Sequence, residues 1–353
     1  MNAAFWKNKK VLITGHTGFK GSWLSLWLQG RGTNLIGYAL PPPTTPSFFE
    51  IGGIAKKMIS IEGDVRDLAH LTAVIAEHEP EVLIHMAAQS LVRYSYNHPI
   101  ETYETNVMGT ANVLEAVRQT KTVRVVLIIT SDKCYENKEW VWGYREIEPM
   151  GGHDPYSSSK GCAELVTQAY RKSFFSKKDP SDFSTAIASS RAGNVIGGGD
   201  WAKDRLIPDI VKAVMNDKPV VIRNPNATRP WQHVLEPLNG YLDLIEKLWH
   251  HGSEFEGGWN FGPNDDDCRP VRLILEELNT LWDGRIRYEF DSEENPHEAS
   301  SLRVDSSKAR RLLGWSSKLS TSEALSWVVE WYRGYLNGSN IRELSEDQIL
   351  RYE

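Results

Sequence analysis

Short runs of apolar, β-branched residues alternate with amphipathic stretches along the first 190 positions. KVLITG (10–15), NLIGY (34–38), MISIEGD (58–64), EVLIHMA (81–87), VRVVLIIT (123–130) and FSTAIASS (183–190) read as strands. Each is nearly continuous and apolar, the pattern of a parallel strand covered on both faces. Between them the spacing predicts helices over 19–30 (FKGSWLSLWLQG), 67–78, 99–119 and 156–172. Repeated strand–helix–strand units of this kind imply an α/β fold, a Rossmann-type doubly wound parallel sheet. After residue 190 the rhythm breaks, and loops rich in Gly, Pro, Asn and Asp at 193–200, 223–230 and 262–270 separate shorter elements. The expected organisation is therefore a larger domain over 1–190 and a smaller C-terminal domain over 191–353 that closes a cleft over the sheet. Segment 235–262 is placed to return to the first domain. Pro41-Pro42-Pro43 reads as a stiff loop.

Composition narrows the class. The chain has 353 residues, 41% hydrophobic and 24% charged, enough apolar content for a sizeable core and too much for disorder. A net charge of −6 with both signs interspersed speaks against nucleic-acid binding. The apolar runs are strand-length and too short to span a bilayer. The first ten residues lack the basic head and apolar stretch of a signal peptide. Cys134, Cys162 and Cys268 lie far apart, with no CxxC pair. They read as small buried side chains in a reducing cytoplasm, with no metal site expected.

Candidate chemistry begins at TGHTGFKG, 14–21, where Gly15, Gly18 and Gly21 lie between the first strand and its helix. Such a turn needs glycine to bend sharply, to let backbone approach a pyrophosphate and to pack helix on strand. Amides at the helix start then face the phosphates. The second strand ends at Tyr38-Ala39-Leu40 with no acid for an adenosine ribose, which leaves NAD and NADP both open on residues alone. Lys20 either meets an extra phosphate or is solvated. Asp64, after the third strand, either meets an adenine amino group or caps the following helix.

Tyr156 and Lys160 stand four residues apart, hence on one helical face. A lysine and a cationic cofactor ring near a phenol favour the phenolate, which can take the proton of a sugar hydroxyl. With the glycine turn, this pair resembles the extended short-chain dehydrogenase/reductase superfamily over nearly the whole chain. The resemblance implies NAD as cofactor, Ser131 as the third member of the catalytic triad, and Thr17, Phe19, Val65, Ala87, Ala88, Gln89 and Asn106 in the cofactor site. It implies a nucleotide-sugar site containing Asn194, Arg205, Leu206, Arg229, Trp231, His233 and Asn260, with His297 and Arg303 in a segment that departs from better-known relatives. It also implies a homodimer paired through the helices at 99–119 and 156–172.

Ser131-Asp132-Lys133 sharpens the resemblance, because nucleotide-sugar 4,6-dehydratases carry an acid and a base beyond the triad here. Their common forms show an acidic pair, whereas Asp-Lys resembles the CDP-glucose 4,6-dehydratases. That implies C4 oxidation, loss of the C5 proton to Lys133, protonation of the departing C6 hydroxyl by Asp132, and hydride return to C6. CDP-glucose would become CDP-4-dehydro-6-deoxyglucose plus water, a product that would feed deoxysugar synthesis for the lipopolysaccharide O-antigen. Lys133 acts as a base only when neutral; the alternative is a structural ion pair, with water or Asp132 handling the proton. Two rival functions stand beside this one: a nucleotide-sugar 4-epimerase, which needs no C5 base, and a non-catalytic dinucleotide-binding Rossmann protein. Trp231 offers a ring for a sugar or base, while core packing is expected for Trp23 and Trp27. His250-His251 reads as an exposed helix end.

Overall fold

Seven runs of extended backbone align in parallel in a computed structural model that describes residues 2–175, 185–291 and 299–353. They are β1 (Lys10–Thr14), β2 (Asn34–Ala39), β3 (Ile59–Glu62), β4 (Val82–His85), β5 (Val125–Ile129), β6 (Ala186–Arg191) and β7 (Gly257–Asn260). Their spatial order is β7-β6-β5-β4-β1-β2-β3. Winding reverses between β1 and β4, so a crevice opens outside the carboxyl ends of these neighbours.

Alternation along each strand explains why the runs are apolar throughout. Val11, Ile13, Val82, Ile84, Val125 and Leu127 join the core on one face, and Leu12, Leu83, Val126 and Ile128 join the core on the other. Helix α1 (Phe19–Gly30) covers the first face, with Trp23 and Trp27 buried as expected. Helices α2 (Leu68–His78) and α3 (Gly109–Thr120) cover the second. Helix α4 (Pro155–Tyr170) starts where the Asp154 side chain accepts the Ser157 amide at 2.9 Å.

Some expectations shift. The run at 58–64 shortens to β3, an edge strand whose Ile59 is half exposed, because a terminal strand has a neighbour on one side only. The helix expected over 99–119 divides into Pro99–Tyr103, a wide i→i+5 turn at Glu104–Met108, and α3. Residues 183 and 184 of the sixth expected strand lie outside the described residues.

Beyond β6, α5 (Leu206–Met215) belongs to a small lobe, and α6 (Leu235–His251) packs on β5 and β6. Its C-terminal His250 and His251 are exposed. β7 then pairs with β6 from Gly257↔Ala188 to Asn260↔Arg191, at the edge of the main sheet. Helices α7 (Val271–Leu281) and α8 (Thr321–Leu336) complete the lobe. So do three two-stranded sheets, 195–196 with 232–233, 228–230 with 268–270 and 220–222 with 288–290. The last helix, α9 (Ile341–Tyr352), returns to α1, where Trp27 Nε1 donates to Glu353 Oε1 at 2.6 Å. No helix among the described residues is long and apolar enough to cross a membrane.

Candidate active site

A cleft of about 690 Å³ lies outside the carboxyl ends of β1, β4 and β5, closed on its far side by the small lobe. The glycine turn forms one wall. Gly15 adopts φ +76°, and a Cβ there would stand 2.6 Å from the Ala87 amide nitrogen. A Cβ on Gly21 would stand 2.2 Å from the Gly15 carbonyl oxygen. Gly18 caps α1 without a side chain, so the first amides of the helix face the cleft at Phe19, Lys20 and Gly21. The tight turn, which has no room for a Cβ at Gly15 or Gly21, and the helix-start amides together fit the pyrophosphate of a dinucleotide. Thr17 ties the turn to the second strand through the Leu40 carbonyl at 2.9 Å.

Asp64 and Val65 line the same stretch. Asp64 does not cap α2; Asp67 does that, accepting the His70 amide at 3.0 Å. Its carboxylate instead holds Arg66 through both backbone and side chain, and the Arg66 hydrogen bonds pull it below its ordinary range. Ala87, Ala88 and Gln89 also line the cleft. Asn106 does not line it. Its amide accepts the Gln89 N–H and donates to the Gln89 carbonyl, both at 2.9 Å, and bonds Ser159 from behind. It fixes the wall and leaves its surface to Gln89.

Lys20 corrects both of its readings. It is neither solvated nor held out for an extra phosphate; its Nζ donates to the Tyr241 hydroxyl of α6 at 2.8 Å. Burial lowers its pKa to about 7, and the charges of Lys160 and Arg205 push it the same way.

At the centre, β5 runs into the short turn Asp132–Cys134, and α4 brings Tyr156 and Lys160 to face it. Ser131 Oγ donates to Asp132 Oδ1 at 3.0 Å and accepts the Lys133 amide at 3.2 Å. Asp132 Oδ2 is buried without a partner, and burial raises this carboxyl while Lys133, Ser131 and Arg229 pull it back. Room for it exists because residue 193 is glycine: a Cβ there would stand 1.7 Å from Asp132 Oδ2. Burial also pushes the Tyr156 phenol up to about 12, opposite to the direction expected from a neighbouring lysine; a Ser131 hydrogen bond and the Arg205 charge oppose it. Lys160 is lowered by burial to about 8, and its Nζ donates to the Ile129 carbonyl at 3.4 Å.

The small lobe supplies Asn194, Arg205, Leu206, Arg229 and Trp231 to the cleft. Arg205 is braced by Asp200 at 2.9 Å and by Ser90 at 3.0 Å. Trp231 anchors its ring by donating to the Arg269 carbonyl at 2.9 Å. Three expected ligands lie elsewhere. His233 is fully buried between Trp23 and Trp327. Asn260 is also fully buried and clamps the chain, donating to the Tyr144 and Asp305 carbonyls and accepting from Tyr135. Arg303 is absent from the cleft wall, and its Nε is buried without a partner. His297 lies outside the described residues. Cys134 is buried as expected, whereas Cys162 and Cys268 are only partly so.

Sequence reasoning overlooked the pair beneath Lys160. Glu164 meets Arg191 at 2.8 Å, each side chain 5% exposed, and also accepts from Thr130 and Ser189. The signal was present, since Glu164 stands one helical turn beyond Lys160. Among the described residues no three His, Cys, Asp or Glu side chains gather as a metal site.

A family model described as GDP-mannose 4,6 dehydratase matches residues 12–255. The CDP-glucose 4,6-dehydratase of Salmonella typhimurium is 53% identical over 348 residues, covering 99% of this chain and 97% of that protein. Among solved structures, a dTDP-glucose 4,6-dehydratase from Bacillus anthracis in complex with NAD is similar, with TM-score 0.75, 22% identity and 94% and 98% of the two chains covered. A UDP-glucose 4-epimerase from Stenotrophomonas maltophila with bound NAD has TM-score 0.80, 19% identity and coverage of 94% and 100%. At such identities these two structures speak for the fold alone.

Proposed function

The chain belongs to the GDP-mannose 4,6-dehydratase family of extended short-chain dehydrogenases/reductases, and on that premise we propose that it is a hydro-lyase converting CDP-glucose to CDP-4-dehydro-6-deoxyglucose and water. One observation carries the reading. Asp132 and Lys133 stand at the cleft beside the Ser131–Tyr156–Lys160 set, an acid and a base more than a simple oxidation of an alcohol requires. The 53% identity to a CDP-glucose 4,6-dehydratase supports the same choice.

Gly15, Gly18, Gly21, Thr17, Phe19, Asp64, Val65, Ala87, Ala88 and Gln89 would hold NAD. When bound, NAD supplies the acceptor for the C4 hydride, gives the hydride back at C6, and adds positive charge near the Tyr156 proton. Tyr156 takes the proton of the C4 hydroxyl, with Ser131 holding the oxygen. Lys160 supports the phenolate that Tyr156 must become. Lys133 then removes the C5 proton, made acidic by the C4 carbonyl. Asp132, whose burial favours the protonated form, delivers its proton to the C6 hydroxyl, which leaves as water. Lys133 returns a proton to C5 as C6 is reduced, and Tyr156 keeps the 4-keto group hydrogen-bonded. Atoms balance as the loss of one water.

The proposed division of labour is cofactor on 1–190 and nucleotide sugar on 191–353, with Arg205 and Arg229 for the diphosphate. A homodimer is proposed through the 99–120 and 155–170 helices, supported by Ile100, Met108 and Leu165, which leave 70%, 55% and 55% of their surface exposed there. Three unpaired cysteines support a reducing cytoplasm as the setting. The product is proposed to enter deoxysugar synthesis for surface polysaccharide. Incubation with NAD and CDP-, dTDP-, UDP- or GDP-glucose, followed by mass analysis, tests the reaction. Loss of one water from CDP-glucose is the expected result. An isomer of unchanged mass would move the assignment to a 4-epimerase, and intact NAD binding without turnover would leave a non-catalytic dinucleotide binder.

A further inference from the structure

The two walls of the cleft differ in chemistry. The large lobe offers the glycine turn, Asp64 and the catalytic side chains, which between them account for a dinucleotide and a sugar. A nucleotide attached to that sugar must therefore lie against the small lobe, along α5 and the strand at 220–222. Leu206 and Val221 line this stretch as apolar surface, backed by the buried Ile207, Val220 and Ile222. An apolar slot suits a flat base, but by itself selects none of the bases.

Selection needs a polar group that reads the edge of the ring, and the carboxylates on this wall can be sorted by their partners. Asp200 is committed to Arg205 at 2.9 Å. Asp204 is committed to Arg223 at 2.9 Å and lies 3.7 Å from Arg93. Asp209 also lines the cleft, yet forms no ion pair among the described residues. Its carboxyl takes the backbone N–H of Asp204 and feels the more distant charges of Lys212 and Arg223. Burial holds it up to about 6, so it still ionises at neutral pH. On α5 it stands four residues after Arg205 and three after Leu206, on the face those two present to the cleft.

An ionised carboxylate only accepts hydrogen bonds. At position 4 cytosine presents an amino donor, whereas thymine presents a carbonyl acceptor and uracil does the same. We propose that Asp209 is the specificity-determining residue of this site, accepting the cytosine 4-amino group and rejecting the 4-carbonyl of uracil and thymine. The inference rests on the nucleotide-sugar reading above and deepens it. The competing role for Asp209 is structural, a first-turn acid that favours the α5 helix dipole.

The two roles separate in Asp209→Asn, which keeps shape and can both donate and accept. Measured with CDP-glucose and UDP-glucose, the wild type is expected to prefer CDP-glucose in kcat/KM, and the variant to lose that preference by a factor on the order of 100. A structural role instead lowers both substrates in parallel and leaves their ratio unchanged; that result overturns the proposal. Asp209→Ser provides a second variant of the same sign if the asparagine protein does not fold. Calorimetric binding of CDP and UDP to both forms needs no turnover. Asp209-dependent preference for CDP without dehydration would defeat the proposed reaction and leave this proposal standing. Dehydration of CDP-glucose with a preference unmoved in Asp209→Asn would do the reverse.

Discussion

His233 is fully buried, with the Trp23 and Trp327 rings 6.0 and 5.6 Å from its own, and burial lowers it to about 3, the Arg351 charge pushing the same way. His85 is lowered to about 3 and His16 to about 4 for the same reason. Each folded value lies below the unfolded value of about 6.5, so the unfolded chain binds these protons first. The stability they contribute is present above pH 6.5 and is lost as pH falls below it. At pH 5 the loss is about 2 kcal/mol for each such ring. His233→Phe should therefore leave kcat/KM intact and flatten the fall in urea midpoint between pH 7 and 5. A variant with unaltered acid sensitivity would show that His233 is not buried as a neutral ring. Lys133 calls for a different measurement. Lys133→Met is expected to oxidise C4 but stop solvent exchange at C5; exchange at the wild-type rate would remove Lys133 from its proposed role. Residue chemistry of this kind was legible where neighbours in sequence remain neighbours in space, as for Ser131 to Lys133. For His233 it was not, because what surrounds a ring comes from α1 and α8, far away along the chain.

The β5–turn–α4 unit shows how elements hold the site. Glu164, one turn beyond Lys160, ties α4 to β6 through Arg191 and Ser189 and to the end of β5 through Thr130. Glu164→Gln leaves the Arg191 guanidinium buried without its counter-charge, a change that costs about 3–5 kcal/mol. A lowered denaturant midpoint is expected, together with a pH–rate profile displaced downward, since the Glu164 charge pulls Lys160 up. If the midpoint stays put, the pair does not hold these elements together. The glycine turn was plain from sequence because strand, turn and helix are contiguous and the required backbone geometry is local. The wide turn at 104–108 was hidden, since helical periodicity over 99–119 reads the same with or without one extra residue.

For the whole molecule, the surface left by packing points to assembly. Ile100, Met108 and Leu165 stand exposed on neighbouring helices while most large apolar side chains of the sheet are buried. Replacing both Ile100 and Leu165 with Glu should convert the proposed dimer to a monomer by light scattering, without loss of secondary structure. An unchanged molar mass would place any interface elsewhere. By itself the sequence determined the parallel sheet, the glycine turn and the Tyr156–Lys160 face, because strand period, helix period and turn chemistry act over a few residues. Only the tertiary structure decided which distant side chains meet. It sent Arg205 and Arg229 to the cleft, set Asn106 behind its wall, and buried Asn260 and His233 in the core. The physical reason is that local spacing fixes a side chain's direction on its own element, while burial is set by whichever element packs against it.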